Sequence, residues 1–226
     1  MSRQLRLNLD RTEGFAREDL VISPANSQAV GTLDAWPRWP SGVLALVGPE
    51  GVGKSHMAAI WGVSAGARLV PSRGPVDYAA LADAPVLYED ADRTPDGREE
   101  VLFHLINMAA RPGGGLLLTA RTPPSTWPAS LADLRSRLNA LLVAEVEEPD
   151  DAILDSVLRK FFRERNIRPT DDVIPYLLRR IERSVPKARE IVIRLDEAAD
   201  AAGRAISRAL ARQILETEPP TLNLFD

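Results

Sequence analysis

Eight consecutive residues constrain this chain more than any other stretch: Gly48-Pro49-Glu50-Gly51-Val52-Gly53-Lys54-Ser55. They fit the pattern Gly-x4-Gly-Lys-Ser/Thr, which carries meaning only when a strand leads into it and a helix leads out. Both flanks qualify. Residues 42–47 (GVLALV) form a continuous apolar run of strand length, and Lys54–Ala65 has helical character. In such a loop the glycines let backbone N–H groups turn inward around phosphates, and the start of the helix adds positive potential. The expected contacts of a bound nucleotide are Pro49, Glu50, Gly51, Val52, Gly53, Lys54, Ser55 and His56. Lys54 is placed to reach the β- and γ-phosphates, and Ser55 to ligate Mg2+.

A loop of this kind needs a parallel sheet beneath it, and the sequence supplies one. Residues 86–88 (VLY), 115–119 (GLLLT) and 141–146 (LLVAEV) read as further buried strands, with a helix over 98–110 between two of them. Strands alternating with helices imply right-handed crossovers and a three-layer αβα domain. The strands stop after Glu147-Glu148-Pro149-Asp150. Ile153, Leu154, Val157, Leu158, Phe161 and Phe162 then mark one face of a helix. Val173, Ile174, Leu177, Leu178 and Ile181 mark a second, with Thr170 as its expected N-cap. A third is expected from Pro186, as first helical residue, toward Gly203, and a fourth over 207–216. The resulting division is an N-terminal arm (1–14), an α/β domain (15–148), a small helical lid (149–217) and an extended tail (218–226). The Pro- and Trp-rich stretch at 36–40 reads as a rigid connection with partly packed rings.

Composition mostly excludes. The chain has no Cys, which removes disulfides, thiolate metal sites and Cys nucleophiles. A net charge of −4 gives no general polyanion-binding signature. No apolar run reaches the roughly 20 residues needed to span a membrane, and residues 1–11 lack the apolar core of a secretory signal. A soluble cytoplasmic protein is the expectation. The two histidines, His56 and His104, lack metal-ligand spacing.

Val86-Leu87-Tyr88-Glu89-Asp90 has the shape of an apolar strand ending in acids that hold Mg2+ and orient water. Glu89 is the expected metal ligand and Asp90 the hydrolysis-promoting acid; the alternative is that they are solvated residues at a strand end. Glu89 stands where such motifs have Asp, which points to slow hydrolysis.

Further segments resemble one family. Leu20-Val21-Ile22-Ser23-Pro24-Ala25-Asn26 is similar to the segment that holds adenine in the replication initiator DnaA and in its short paralogues, the Hda family of AAA+ regulators. Thr119-Ala120-Arg121-Thr122-Pro123-Pro124 resembles the sensor 1 region, with Arg121 where the family has Asp. Leu134-Arg135-Ser136-Arg137-Leu138 resembles the segment carrying the arginine finger, which falls on Arg137. Lys187-Ala188-Arg189-Glu190-Ile191 resembles the start of the sensor 2 helix, whose arginine falls on Arg189. Taken alone, both arginines read as ordinary surface residues. The resemblance implies an AAA+ domain with a helical lid, ADP or ATP with Mg2+ as ligand, and Val21, Ile22 and Arg189 among the nucleotide contacts. It implies catalytic roles for Arg137 and Arg189 beside Glu89 and Asp90, because guanidiniums stabilise charge developing on phosphoryl oxygens.

The resemblance covers nearly the whole chain, with no helix-turn-helix domain after the lid, so direct sequence-specific DNA binding is not expected. Gln4, Leu5, Leu7 and Leu9 resemble the peptide by which Hda-like proteins dock on the DNA polymerase sliding clamp. An extended peptide would place Gln in a polar subsite and alternate leucines in an apolar pocket; read otherwise it is a fraying amphipathic strand. Leu222-Asn223-Leu224-Phe225 has a similar apolar pattern without the Gln, as a second docking peptide or a self-association arm. Together these imply a regulator of replication initiation that docks on the clamp and promotes hydrolysis of DnaA-bound ATP, with a homodimer or higher oligomer open. The alternatives are an adaptor whose nucleotide is structural and, on a different branch, a small-molecule P-loop kinase.

Overall fold

Why the apolar runs are unbroken becomes clear from where the strands lie. The protein is represented by a computed structural model that describes residues 17–71, 73–93 and 98–217. After a short 3-10 turn come α1 (Ser27–Asp34), β1 (Val43–Val47), α2 (Lys54–Ala65), β2 (Arg68–Leu69), α3 (Tyr78–Leu81), β3 (Val86–Tyr88), α4 (Glu99–Ala109), β4 (Leu116–Ala120), α5 (Ala132–Asn139) and β5 (Leu142–Glu145). The strands form one parallel sheet in the order β2-β3-β4-β1-β5. Every residue of the neighbouring strands β1 and β4 is buried, because both of their faces are covered. β5 is an edge strand: Val143 and Glu145 are exposed, so its apolar character does not translate into burial.

Side chains alternate across the sheet. Val43, Ala45 and Val47 pack with Leu102, Leu105, Leu134 and Leu138 of α4 and α5. Leu44 and Leu46 pack on the other side with Val30 of α1 and Met57 and Trp61 of α2. This gives the three αβα layers. The α2 layer is fixed by aromatic rings: Trp61 stacks on Trp39 at 5.3 Å and meets Trp36 edge-on at 5.9 Å. Trp39 Nε1–H also donates to Thr32 O at 2.8 Å. The connection at 36–40 is therefore a packed wedge holding the helix that follows the phosphate loop. The short elements α3 and β2, and the helix α1, have no clear periodic signal in the sequence.

The bundle comprises α6 (Asp151–Glu164), α7 (Val173–Leu178), α8 (Val185–Ala202) and α9 (Arg208–Glu216), around a separate apolar cluster that includes Leu154, Phe162, Leu177, Ile191 and Leu195. Asp150, Ser184 and Ser207 cap α6, α8 and α9 through side-chain oxygens that accept N–H bonds from Ile153, Lys187 and Leu210. Three expectations need correction. Thr170 is not the cap of α7: that position is Asp172, and the Thr170 hydroxyl instead donates to the Asp172 carboxylate at 2.6 Å. The helix also ends at Leu178, short of Ile181, which is buried in the turn beyond. Pro186 is the second helical residue of α8 and not the first, since Ser184 is the cap. Among the described residues no helix is long and apolar enough to cross a membrane.

Candidate functional site

Between β1 and α2 the backbone makes a run of positive φ angles that only glycine adopts without strain, at Gly48, Gly51 and Gly53. Gly48 also lies so close to the Val146 carbonyl that any Cβ would collide with it. The loop joins the C-terminal end of β1 to the first turn of α2, the arrangement in which backbone N–H groups and a helix start can cradle an anion. Such a cradle fits a nucleotide's phosphates.

Lys54 opens α2 and is 8% exposed. Its Nζ donates to Gly48 O and Pro49 O, both at 2.7 Å, so the ammonium is held over the loop by backbone carbonyls. Burial pushes its pKa below the usual lysine value, and the charges of Asp90 and Asp92 oppose that shift. Ser55, the next residue, is exposed at the same rim, and His56 is half-buried behind it.

The acids after β3 are arranged less simply than their order predicts. Asp90 has φ 50°, a left-handed conformation uncommon for a residue with a Cβ. Its N–H donates to Thr119 Oγ1 at 3.1 Å, tying β3 to β4. That bend brings Asp92 round as well. Asp92 Oδ2 accepts the N–H of Arg121 at 2.9 Å, while its Oδ1 is buried with no hydrogen-bond partner among the described residues. Glu89 is half-buried at the strand end and is not among the groups whose charge acts on Lys54. Asp92 escapes a reading by sequence order; its one signal is that it is a third acid within four residues. Arg121 extends to the phosphate loop and forms an ion pair with Glu50. Among the described residues no three His, Cys, Asp or Glu side chains converge to hold a metal. A Mg2+ ion there would take much of its coordination from phosphates and water.

The segment before α1 borders the cradle. Asn26 Nδ2 donates to Val21 O at 2.8 Å, and Ser23 N–H donates to Asn26 Oδ1 at 2.9 Å, a knot that sets Ile22 outward at 54% exposure. Asp19 lies near enough to His56 for their charges to interact, and it pairs with Lys160 of α6 at 2.7 Å.

The lid meets the loop directly. Val185 N–H, at the start of α8, donates to Gly51 O at 2.9 Å, and a Cβ on Gly51 would come within 2.9 Å of Pro186 Cδ. Arg189 follows Val185 by one turn on the same side of α8, about 6 Å further along the axis. It is exposed, with its Cζ 4.8 Å from the centre of the Phe161 ring. Arg137 belongs elsewhere. It sits in the last turn of α5, which leaves the edge of the sheet where β4 ends and returns to the edge where β5 begins. The phosphate loop is on the former edge, so Arg137 lies toward the far end from this chain's own cradle. It is exposed and lies 5.2 Å from the centre of the Phe103 ring. Gln4, Leu5, Leu7 and Leu9, and likewise Leu222–Phe225 of the tail, lie outside the described residues.

Comparison with known proteins agrees with this architecture. No family model matches the sequence. The chromosomal replication initiator DnaA of Thermomicrobium roseum is 29% identical over 121 residues, covering 53% of this chain and 26% of that protein. A DnaA of Thermus thermophilus is 23% identical over 230 aligned positions, covering 89% of this chain and 52% of the relative. The chain thus spans about half or less of the length of these curated relatives. Among solved structures, domain III of Thermotoga maritima DnaA superposes with a TM-score of 0.74 at 19% identity, covering 89% of this chain and 95% of that one. A DnaA bound to AMPPCP and single-stranded DNA superposes with a TM-score of 0.64 at 16% identity, covering 82% of this chain and 67% of that one. The fold is the AAA+ P-loop αβα fold seen in DnaA domain III, and the sequence is related to DnaA over nearly its whole length.

Proposed function

We propose that this chain is a nucleotide-binding AAA+ regulator of replication initiation, of the short DnaA-related Hda type, acting in the cytoplasm. The observation that carries the reading is the placement of its two kinds of arginine. Arg189 stands one helical turn from the contact between α8 and the phosphate loop, on the lid unit at 149–217, where it can sense the nucleotide of its own chain. Arg137 is exposed in the last turn of α5, on a different element from the lid, and in this reading it serves the nucleotide of another molecule. An arginine that leaves its own site and reaches a neighbour's is what stimulation in trans requires.

In this reading Gly51, Val52, Gly53, Lys54 and Ser55, with Pro49, Glu50 and His56 at the rim, bind the phosphates of ADP or ATP. Val21 and Ile22 take the base, and Ser55 with Glu89 holds Mg2+. Asp92 joins Asp90 as an acid facing the phosphate end. The Arg121–Glu50 ion pair and the Glu in place of Asp at position 89 favour slow turnover at this site. Gln4, Leu5, Leu7 and Leu9 dock the chain on the polymerase sliding clamp, and Arg137 then reaches ATP held by DnaA. A water oxygen bonds to the γ-phosphorus, the bond to the β–γ bridging oxygen breaks, and the guanidinium neutralises charge on the transferring group. Sequence-specific DNA contacts are left to the partner. A homodimer or higher assembly of this chain fits the same use of Arg137.

The test combines DnaA loaded with ATP, the clamp on DNA, and this chain. The intact protein should accelerate hydrolysis, and Arg137→Ala should lose that acceleration while retaining ADP and clamp binding. Gln4→Ala with Leu5→Ala should weaken clamp binding by more than about tenfold and leave ADP affinity unchanged, since burying a leucine contributes about 1.5–3 kcal/mol. Full acceleration by the Arg137 variant would leave an adaptor with a structural nucleotide as the better reading.

A further inference from the structure

Two adjoining clefts, of about 730 and 560 Å³, open on the lid and are lined by no residue of the phosphate loop. Both are walled by Tyr176 and Arg180 from α7 and its C-terminal end and by Arg208 from the first turn of α9. Arg179 extends the first cleft and Arg212 the second. The Tyr176 ring is buried and organises the cluster: Arg180 Cζ lies 4.1 Å from its centre and Arg208 Cζ 5.2 Å. Cation–π contact orients a guanidinium and leaves its N–H edge available to a second partner.

Several lid arginines are matched to acids: Arg159 to Asp155, Arg165 to Asp196, Arg183 to Asp151 and Arg194 to Glu190. Arg212 is matched too, to Glu216 at 2.7 Å. Arg179, Arg180 and Arg208 have no carboxylate within ion-pair distance among the described residues, and the one acid in the first cleft, Asp172, already accepts the Thr170 hydroxyl. Two such guanidiniums over one ring, with Arg179 beside them, are a local reversal in a chain whose net charge is −4.

We propose that these clefts bind the phosphodiester backbone of DNA without reading its bases. Guanidinium forks match phosphate oxygens in two-pronged fashion. Two clefts in series, sharing Tyr176, Arg180 and Arg208, suit consecutive phosphates better than a single small anion. The one aromatic ring is occupied by arginines, so base stacking is not on offer, and the apolar wall is limited to Pro175 and Ala209, which gives an apolar peptide little to grip. Binding of this kind is driven by release of counterions and is independent of sequence. It does not rest on the nucleotide site or on Arg137.

The experiment measures fluorescence anisotropy of a labelled duplex of about 25 base pairs, long enough to present phosphates to both clefts, with the full chain, across a salt series, for two unrelated sequences. Both should bind alike, with log affinity falling linearly with log salt. Arg180→Ala with Arg208→Ala should lower the slope by about 1.8, at about 0.9 for each phosphate no longer neutralised, and should leave ADP binding intact. Arg179→Glu with Arg212→Glu, at exposed positions that do not touch the ring, should weaken binding in the same direction and carries the test if the first pair alters the lid. The proposal is overturned by absence of binding at low salt, by an unchanged slope in folded variants, or by poly-glutamate displacing the duplex at equal charge concentration, which would assign the clefts to an acidic protein segment.

Discussion

At Lys54 two requirements meet in one side chain. The ammonium must stay charged to hold phosphate, yet it is largely buried, and burial favours the neutral form. Asp90 and Asp92 offset that penalty from the strand side, and two backbone carbonyls accept its hydrogen bonds from the loop side. Removing the cation removes the group that the others are arranged around. Lys54→Ala should therefore abolish tight ADP binding. At a ligand concentration about 100 times the dissociation constant the intact protein should gain about 2.7 kcal/mol of stability, visible as a raised melting temperature; the variant should gain none. An equal shift with ADP in both proteins would remove Lys54 from the site.

Helix starts carry much of the definition of the lid. Asp150 precedes α6, and its Oδ1 accepts the Ile153 N–H at 3.0 Å. That backbone bond, with smaller help from Ser23, the Ala152 N–H and Arg183, holds its pKa below the ordinary carboxylate value. A pKa lower in the folded than in the unfolded state means that the unfolded chain takes up the proton more readily. The stabilisation is complete above the unfolded value, near about 3.9, and is lost as pH falls through the folded one. Asp150→Ala should cost about 1 kcal/mol near neutral pH, measured by urea denaturation, and the gap to the intact protein should narrow at about pH 3, below the unfolded value. Asp150→Asn keeps the acceptor without the titration and should lose little near neutral pH. A gap just as wide in acid would mean that the charge contributes nothing.

Across the whole molecule, the lid and the sheet are joined where the nucleotide would sit. Gly51 is one point of contact: its carbonyl accepts the Val185 N–H, and its Cα lies against Ser184 and Pro186. Gly53 has a similarly positive φ, but a Cβ there meets nothing within 4 Å. The two glycines therefore separate backbone strain from lid contact. Gly53→Ala should cost the strain alone, roughly 1–2 kcal/mol. Gly51→Ala should cost that plus displacement of the start of α8, and should also speed proteolysis within the lid. Equal stability and equal proteolysis in the two variants would show that the lid does not depend on this contact.

How much is legible without the fold follows from which interactions are local. The phosphate loop, the strands β1, β3 and β4, and the helices α6, α8 and α9 are written in short-range terms: glycines at fixed spacing, unbroken apolar runs, and helical periodicity behind a capping Asp or Ser. Those patterns depend on neighbours within a few residues, so the sequence alone determined an α/β domain with a phosphate cradle and a helical bundle after it. The cap of α7 is ambiguous in sequence because Thr170 and Asp172 compete for one role, and only the backbone conformation decides between them. The exposure of β5 was invisible because being an edge strand depends on strand order, which composition does not encode. Asp92 could not be chosen by position, since its charge acts on Lys54 from a turn beyond the strand end, after the left-handed Asp90. Arg137 and Arg189 stand on α5 and on the lid helix α8, and the arginine clefts came from packing α7 against α9, two helices whose sequences carry no sign that they meet. Local chemistry set the elements; the long-range packing of the sheet and bundle set which charges face one another.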